Sequence, residues 1–177
     1  GALHTGALIK EVGLRSAIIP RFPGVTSALG CVVADLLYDR VQTVNKFLTD
    51  LDPRSLRQEI RTASLELETY ITASNTDILK LEHFYEFDML YAGQTHTVVV
   101  PIDMKDVSLN KKEIQKSFDK AYLDTYGRLL ENIPIKVVNF RVIVTGRRPS
   151  FDISLFAPND GKPASECILE KREIYLN

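Results

Sequence analysis

The chain has 177 residues, of which 45% are hydrophobic and 25% charged, and its formal net charge is −1. This length and composition predict one domain, or one and a fraction, with a substantial core. A near-neutral charge of mixed sign argues against nucleic acid or an anionic membrane as partner. No signal peptide and no apolar run long enough to span a bilayer are visible, so we expect a soluble cytoplasmic chain.

The two cysteines, Cys31 and Cys167, lie far apart in the sequence. They make neither a disulfide framework nor a metal-binding signature. Cys31 lies in an apolar segment, and we expect it to be a small buried hydrophobe.

The amino-terminal part is predicted to be mainly helical. A helix over residues 4–12 ends at Gly13, which suits the left-handed cap position, and residues 16–20 form a brief strand. Residues 25–47 are predicted to form a long helix with a wide apolar face. Asp52-Pro53 starts the next helix, because aspartate caps free amides and proline fits the first helical position. We expect these two long helices to pack as an antiparallel pair. The apolar face of the second is formed by Leu56, Ile60, Ala63, Leu67 and Ile71.

The middle of the chain changes its hydrophobic period from helical to alternating. Residues 79–91 alternate in polarity, which predicts a half-buried strand whose odd-numbered residues face the helices. Ala92-Gly93 is predicted to make a tight turn into a second strand over residues 95–102. The segment is therefore predicted to be a β-hairpin.

The last third is predicted to contain one helix and two strands. Asn110, three residues before Glu113, resembles a capping box and starts a helix that ends at Gly127. Residues 135–145 form a strand, 147–162 a loop, and 167–176 a final strand. The fold class is therefore α+β, an antiparallel sheet with a packed helix pair and one further helix.

One segment near the amino terminus carries a family resemblance. Pro23-Gly24-Val25, followed by Ser27, Ala28 and Gly30, resembles the Pro-Gly-Val-x-Ser-Ala-x-Gly segment of hydantoinase A, 5-oxoprolinase and acetone carboxylase β-subunit proteins. Gly1-Ala2-Leu3-His4 resembles the end of that family's Gly-Gly-x-Gly-Pro-x-His-Ala motif, with Ala2 where proline is usual.

The resemblance extends along nearly the whole chain. Tyr91-Ala92-Gly93-Gln94 is similar to the family's Tyr-x-Gly-Gln hairpin. Two departures stand out: Asp119 where many members have histidine, and Leu90 where arginine often precedes the tyrosine. Further matches in order are Ala34-Asp35, Asp39, Thr43, Phe118, Tyr122, Tyr126-Gly127, Pro134, Val138-Asn139, Arg141 and Arg172-Glu173-Ile174-Tyr175.

The resemblance implies a fragment of a longer protein, and the lack of an initiator methionine agrees with this expectation. Residues 1–22 would be the tail of an actin-like ATPase domain, and 23–177 the carboxy-terminal domain. The full-length protein would use ATP and Mg²⁺ to phosphorylate the amide carbonyl of a cyclic substrate so that water can open the ring. The fragment would hold no cofactor, be inactive alone and act as a scaffold. Its partners would be the ATPase domain and a hydantoinase B-type subunit or a second copy.

Two readings compete with this one. The chain could be an interaction or assembly module without hydrolase activity, or the matching region of an acetone carboxylase-type β subunit. The sequence contains no phosphate-binding loop, nucleophile elbow, metal motif or Rossmann fingerprint. We therefore expect neither catalytic nor metal-binding residues.

His4 is the best candidate for a functional residue. Through the resemblance, Gly1 and His4 would form the edge of a nucleotide site in the full-length protein, since glycine before a helix lets amides approach phosphate. An exposed or capping histidine is the simpler alternative.

Other candidates have structural explanations. His83 and His96, on the two predicted hairpin strands, lack the further ligand that a metal site needs. Ser27 has no base beside it and is expected to cap a helix. Asp35 and Asp39, predicted one helical turn apart, are expected to form salt bridges. The remaining motif residues are expected to be structural, with glycine permitting positive φ or close approach: Pro23, Gly24, Gly30, Tyr91, Gly93, Gln94, Tyr126, Gly127, Asn139 and Arg141.

Overall fold

The contacts within the molecule divide the chain into two units, residues 1–33 with 150–177, and Ala34–Pro149. The predicted assignment of residues 1–22 to an ATPase domain and 23–177 to the following domain stays a prediction. The computed structural model describes residues 2–20, 22–104, 110–152, 164–167 and 170.

The first unit contains two short helices, α1 (Thr5–Val12) and α2 (Thr26–Val33). As predicted, α1 ends at Gly13, whose left-handed backbone (φ 71°) lets its N–H donate to the Ile9 carbonyl. The predicted strand at residues 16–20 is wrong, because this segment has no strand structure. An extended apolar segment becomes a strand only when another strand pairs with it.

Cys31 and the two glycines around α2 differ from expectation. Cys31 is exposed, so the prediction that it is buried was wrong. Neither Gly24 nor Gly30 has a positive φ. A Cβ atom built on either glycine would meet no atom within 4 Å in the described part of the chain, so the expected close helix contact at Gly30 is not found there.

The described part of the second unit contains four strands and two longer helices. In chain order they are β1 (Leu36–Phe47), α3 (Pro53–Thr72), β2 (Lys80–Tyr91), β3 (Val98–Pro101), α4 (Lys111–Tyr126) and β4 (Ile135–Arg147). The strands form one sheet in the order β1-β4-β2-β3, and every pair is antiparallel. The α+β class with an antiparallel sheet is thus confirmed.

Strand β1 replaces most of the predicted long helix over residues 25–47. The helix ends at Val33, and Leu36–Phe47 pairs instead with β4. The segment is rich in β-branched and aromatic residues, which pack well on a pleated surface, and its partner lies about a hundred residues away. The predicted antiparallel pair of long helices was therefore wrong.

The helix after Asp52 agrees with the prediction. The Asp52 carboxylate accepts a hydrogen bond from the Arg54 amide at 3.0 Å, and Pro53 fills the first helical position. The five predicted apolar residues of α3 are all buried. Its polar side reaches β1, where Arg40 pairs with Glu66 and Gln42 donates to Glu59 at 3.0 Å.

The β-hairpin is also confirmed, with one change. The chain turns at Ala92-Gly93 as predicted, but β3 begins at Val98 instead of residue 95. The odd-numbered residues of β2 face the helices, and Phe87 and Met89 are completely buried there. Lys80, Glu82 and Glu86 lie on the other face, as the alternation predicts.

The helix predicted to start after Asn110 is α4. The Asn110 side chain accepts from the Glu113 amide at 2.9 Å, and Gly127 (φ 70°) ends the helix by donating to the Leu123 carbonyl. The predicted strand over 135–145 is β4. Of the predicted final strand over 167–176, Cys167 ends a short 3-10 turn, Ala164–Cys167. Most of that segment lies outside the described residues.

Both α3 and α4 pack on one face of the sheet. The core joins Ile60 and Ile71 of α3 and Phe118 of α4 to Phe140 and Val142 of β4. Burial of such side chains is the main favourable contribution to folding, about 1.5–3 kcal/mol each.

We predict that Gly146→Ala destabilises the protein by about 1–3 kcal/mol, as overpacking of a core does. A Cβ on Gly146 would lie 2.8 Å from Cγ2 of Ile71 and 2.9 Å from Cδ1 of Ile78. Urea denaturation measures the loss. Adding Ile78→Val, which removes the second of those atoms, should recover part of it. Gly30→Ala, with open space around its Cβ, is the control. Equal stability of Gly146→Ala and the wild type would contradict the close contact.

Candidate functional site

Five of the predicted motif residues meet where the β2–β3 turn lies against the end of α4. Gly93 has φ 89°, a conformation that glycine adopts readily. The Gln94 amide donates to the Tyr91 carbonyl at 3.1 Å and closes the turn. Tyr126 and Gly127 end α4 beside it. The structure therefore brings together residues from the β2–β3 turn and from the end of α4, which are up to 36 positions apart in the sequence.

The Gln94 side chain links the turn to the helix. Its Oε1 accepts from the Tyr91 amide at 3.2 Å, and its Nε2 donates to the Tyr122 hydroxyl at 2.7 Å. An amide side chain held from both ends has a fixed orientation, and each such bond contributes roughly 0.5–1.5 kcal/mol.

Aromatic rings surround this link. The Tyr91 ring lies edge-on to Phe118 at 4.9 Å and to Tyr122 at 4.7 Å between centroids, and Tyr122 lies 4.6 Å from Tyr126. Edge-to-face pairs are favourable beyond the area they bury. The cluster fixes the turn on α4.

Burial changes two ionisation equilibria at this cluster. It raises the pKa of the Tyr91 phenol above 10.0, an effect opposed by a backbone hydrogen bond with Leu130 and reinforced by Asp119. It also raises the pKa of the Asp119 carboxyl above 3.8, because a partly buried carboxylate loses hydration. Asp119 stands where the family often has histidine. Its ionised form is therefore disfavoured beside the cluster.

A cavity of about 570 Å³ opens next to these groups. Its described lining offers hydrogen-bonding phenols, an amide, a hydroxyl, one imidazole and one guanidinium, and neither a carboxylate nor a thiol. Such a set can bind a polar or anionic group but contains no nucleophile paired with a base. The lining residues are Gly93, Gln94, Thr95, His96, Tyr122, Tyr126 and Arg128.

Asn139 and Arg141 lie elsewhere, on the sheet face that α3 and α4 leave open. Asn139 Nδ2 donates to Asp88 Oδ2 at 3.0 Å, and Arg141 Nε lies 3.8 Å from Glu86 Oε2. Asp88 is only 9% exposed, so its pairing with Asn139 satisfies a nearly buried carboxylate. The family-like residues thus lie in two separate places in the second unit.

Asp35 forms a salt bridge, as expected, but not from a helix. Its carboxylate accepts from the Arg148 amide at 2.9 Å and from Arg147 Nη1 at 2.6 Å, and these bonds lower its pKa. Arg147 also binds Glu82 at 2.6 Å. The predicted position of Asp35 and Asp39 one turn apart on a helix was wrong, since Asp39 lies on strand β1.

The two hairpin histidines do not share a site. His83 Nε2 lies 2.8 Å from Glu68 Oε1 of α3, whereas His96 is exposed in the β2–β3 connection. Within the described ranges, no three His, Cys, Asp or Glu side chains are placed to hold a metal ion.

The candidates of the first unit are less well defined. His4 is exposed directly before α1 and makes no capping bond with its side chain. Gly1 lies outside the described residues. Ser27 lies inside α2, and the Thr26 hydroxyl instead donates to the Phe22 carbonyl at 3.1 Å. The role of Gly1 and His4 at a nucleotide site stays a prediction.

Sequence reasoning missed Thr95, Arg128 and the buried Asp88. The first two are loop residues that approach the cavity only through the packing of the turn on α4. Asp88 was assigned correctly to the outer face of β2, but its burial depends on neighbours that the alternation does not reveal.

We predict that Tyr122→Phe lowers stability by about 0.5–1.5 kcal/mol, because the partly buried Gln94 amide loses its acceptor. Tyr126→Phe is the matched control one turn later, since Tyr126 is 47% exposed. Chemical denaturation compares the two variants. Equal effects would show that the link from Gln94 to Tyr122 does not hold the turn on the helix.

We predict that Asp119→Asn removes a contribution that lowers the stability of the wild type as pH rises. A carboxyl whose folded pKa is raised favours folding when protonated, so this contribution is lost as pH rises from 3.8 through the folded pKa. The variant should gain stability relative to the wild type across that interval. Urea midpoints measured between pH 3.5 and 7 test this. A constant difference between the two proteins would rule out a raised pKa at Asp119.

Comparisons with known proteins place the chain among longer relatives. It is 25% identical over 177 residues to an uncharacterised protein of Methanocaldococcus jannaschii, covering 100% of this chain and 24% of that protein. It is 25% identical over 153 residues to the caprolactamase subunit alpha of Pseudomonas jessenii, covering 82% and 21%. It is 20% identical over 185 residues to an uncharacterised protein of Schizosaccharomyces pombe, covering 99% and 13%. The chain therefore spans about a quarter or less of these relatives. No family model matches it.

Solved structures share the fold. The ATP-dependent caprolactamase from Pseudomonas jessenii aligns with a TM-score of 0.60 at 22% identity, over 84% of this chain and 22% of that one. A nucleotide-free acetone carboxylase aligns with a TM-score of 0.58 at 17% identity, with the same coverage. In sequence and in fold, the chain thus resembles the hydantoinase A, 5-oxoprolinase and acetone carboxylase β-subunit family.

Proposed function

We propose that this chain is a non-catalytic, carboxy-terminal domain of an ATP-dependent enzyme that opens a cyclic amide. The observation that carries the proposal is the match to caprolactamase subunit alpha over 82% of the chain, together with the shared fold. Caprolactam is itself a cyclic amide, so the class of substrate agrees with the class that the sequence motifs imply.

The phosphate chemistry is assigned to the part of the protein outside this chain. ATP and Mg²⁺ need a backbone that cradles the phosphates and a carboxylate or hydroxyl on the metal. The described residues do not fit this requirement: His4 is a single exposed imidazole before an eight-residue helix. We therefore propose that these residues take no part in phosphoryl transfer.

A scaffolding role agrees with how the motif residues are used. Gln94 binds the Tyr91 amide and the Tyr122 hydroxyl, and Asn139 binds Asp88. Groups that satisfy each other within the domain hold elements in place and leave little for a substrate. The active site of a hydrolase instead contains polar groups that are oriented towards the reacting atoms of the substrate.

The first unit offers apolar surface for a neighbour. Leu3 and Ile18 are 97% and 94% exposed, and Leu8 and Ile19 are more than half exposed. Exposed apolar residues of this kind mark interaction surfaces. We propose that the ATPase domain covers them and that a partner subunit or second copy contacts the domain elsewhere.

An acetone carboxylase-type subunit is the second candidate, because acetone carboxylase shares the fold with a TM-score of 0.58. The reaction of the full-length protein separates the two. ATP-dependent opening of caprolactam, hydantoin or 5-oxoproline supports the first, and carboxylation of acetone with bicarbonate supports the second. If the complete protein shows neither activity, the remaining hypothesis is an interaction module.

We predict that the isolated 177-residue chain neither binds nor hydrolyses ATP, with or without Mg²⁺, and that it self-associates. Calorimetric titration with ATP and size-exclusion chromatography measure these properties. Tight nucleotide binding by the isolated chain would overturn the assignment of chemistry to the rest of the protein. Replacement of Leu3 and Ile18 by serine should shift the chain towards monomer, whereas Leu65→Ser, at an exposed leucine of α3, is the control.

A further inference from the structure

Gln94 and Tyr122 have unused hydrogen-bonding capacity at the cavity between the β2–β3 turn and the end of α4, which we call the turn cavity. The Tyr122 hydroxyl accepts one proton of Gln94 Nε2 at 2.7 Å, so its own proton and the second Nε2 proton remain for another acceptor. Tyr122 is only 3% exposed, and both residues line the cavity of about 570 Å³. Because the described residues offer that buried hydroxyl proton no acceptor, a ligand that supplies one is favoured.

A positive charge accompanies these donors. Arg128 lines the same cavity and is exposed. Within the described residues, no carboxylate lies at ion-pair distance from its guanidinium. The acidic residues nearest to Tyr122 along α4 are Asp119 and Asp124, and neither belongs to the described lining. Arginine binds a carboxylate through two parallel hydrogen bonds, so the turn cavity combines a guanidinium with two uncharged donors.

The end of α4 adds the opposite polarity. The last hydrogen bond of this helix joins the Gly127 amide to the Leu123 carbonyl at 2.8 Å. No backbone amide of the described residues donates to the carbonyls of 124–126, and such a helix end carries a partial negative charge. Tyr126, which lines the cavity, is 47% exposed, and the face of a tyrosine ring attracts an ammonium group. This end of the helix therefore favours a cation and opposes a simple anion.

We propose that the turn cavity binds a small amino acid in its zwitterionic form. The carboxylate of the ligand accepts hydrogen bonds from Arg128, the Tyr122 hydroxyl and the Gln94 amide. Its ammonium group lies against the end of α4 and the Tyr126 ring. The volume of the cavity is within the roughly 300–1,000 Å³ typical of ligand pockets, which leaves space for a short carbon chain between the two charges.

This class of ligand agrees with the product of the proposed reaction, and that part of the inference rests on the proposed function. When water opens a cyclic amide, the C–N bond breaks, the carbonyl carbon gains the hydroxyl group and the nitrogen gains the proton. One molecule then carries both a carboxylate and an amine. A site for this molecule on a domain that takes no part in the chemistry would let the product regulate the enzyme.

The test is ligand-observed saturation-transfer NMR on the 177-residue chain with 6-aminohexanoate, the amino acid that hydrolysis of caprolactam gives. Hexanoate and hexylamine each carry one of its two charges, and caprolactam carries neither. We expect 6-aminohexanoate to bind about threefold or more tightly than hexanoate or hexylamine, because each exposed ion pair contributes modestly and only this ligand forms both contacts. Caprolactam should bind more weakly than all three.

Protein variants locate the ligand. Arg128→Gln should weaken binding of 6-aminohexanoate about threefold to fivefold, as loss of an exposed ion pair does, and should leave hexylamine binding unchanged. Arg61→Gln removes the same charge at an exposed site on α3 and should change neither. Tyr122→Phe keeps the ring but removes the buried hydroxyl, so it should weaken binding of both carboxylates. Thermal melting confirms that each variant is folded.

Four outcomes would overturn the proposal. One is the absence of binding to the wild type at about 10 mM ligand. Equal affinity for hexanoate and 6-aminohexanoate would show that the helix end does not hold the ammonium group. Unchanged binding by Arg128→Gln would place the ligand elsewhere, and complete displacement by equimolar inorganic phosphate would identify a site for free anions. The proposed function fails separately: a complete protein that opens no cyclic amide would refute it and leave the amino acid site in place.

Discussion

Strand β4 is hydrogen-bonded along both edges, and the second unit depends on this double pairing. It pairs with β1 on one side and β2 on the other, and through β2 it holds β3. Its residues Val137, Val142 and Val144 are completely buried under the helices. At its end, Arg147 binds Asp35 and Glu82, so one guanidinium joins the chain segments of three neighbouring strands. Without β4, neither β1 nor the hairpin would have a surface on which α3 could pack.

The family-like residues use this frame in two ways. One group fixes the β2–β3 turn on α4 through Gln94 and a set of tyrosine rings. The other pairs Asn139 with the nearly buried Asp88 on the open face of the sheet. Both arrangements connect elements far apart in the sequence. Their polar atoms bind one another, which agrees with the structural role proposed for them.

Local patterns predicted the elements whose signals are local. The carboxylate of Asp52, the amide of Asn110 and the left-handed Gly127 mark helix ends by chemistry within a few residues, and all three were confirmed. The alternation along β2 likewise revealed its buried face. These signals do not depend on the rest of the fold.

The errors have a common physical cause. Residues 36–47 were predicted to be helical because their apolar spacing fits that period, but this spacing does not reveal the distant strand β4 with which they pair. Gly146 gave no sequence signal, since its close contacts with Ile71 and Ile78 arise when α3 packs on the sheet.

The position of β4 in the chain has a consequence for synthesis. Leu36 pairs with Gly146, so β1 leaves the ribosome well before the strand with which it pairs. At roughly 5–20 residues per second, that interval lasts on the order of ten seconds. During it, helix α3 and the hairpin can form from neighbouring residues, while β1 presents an unpaired, partly apolar edge. The nascent protein is thus most exposed to wrong pairing between the appearance of β1 and that of β4, a period in which a chaperone would have the most to protect.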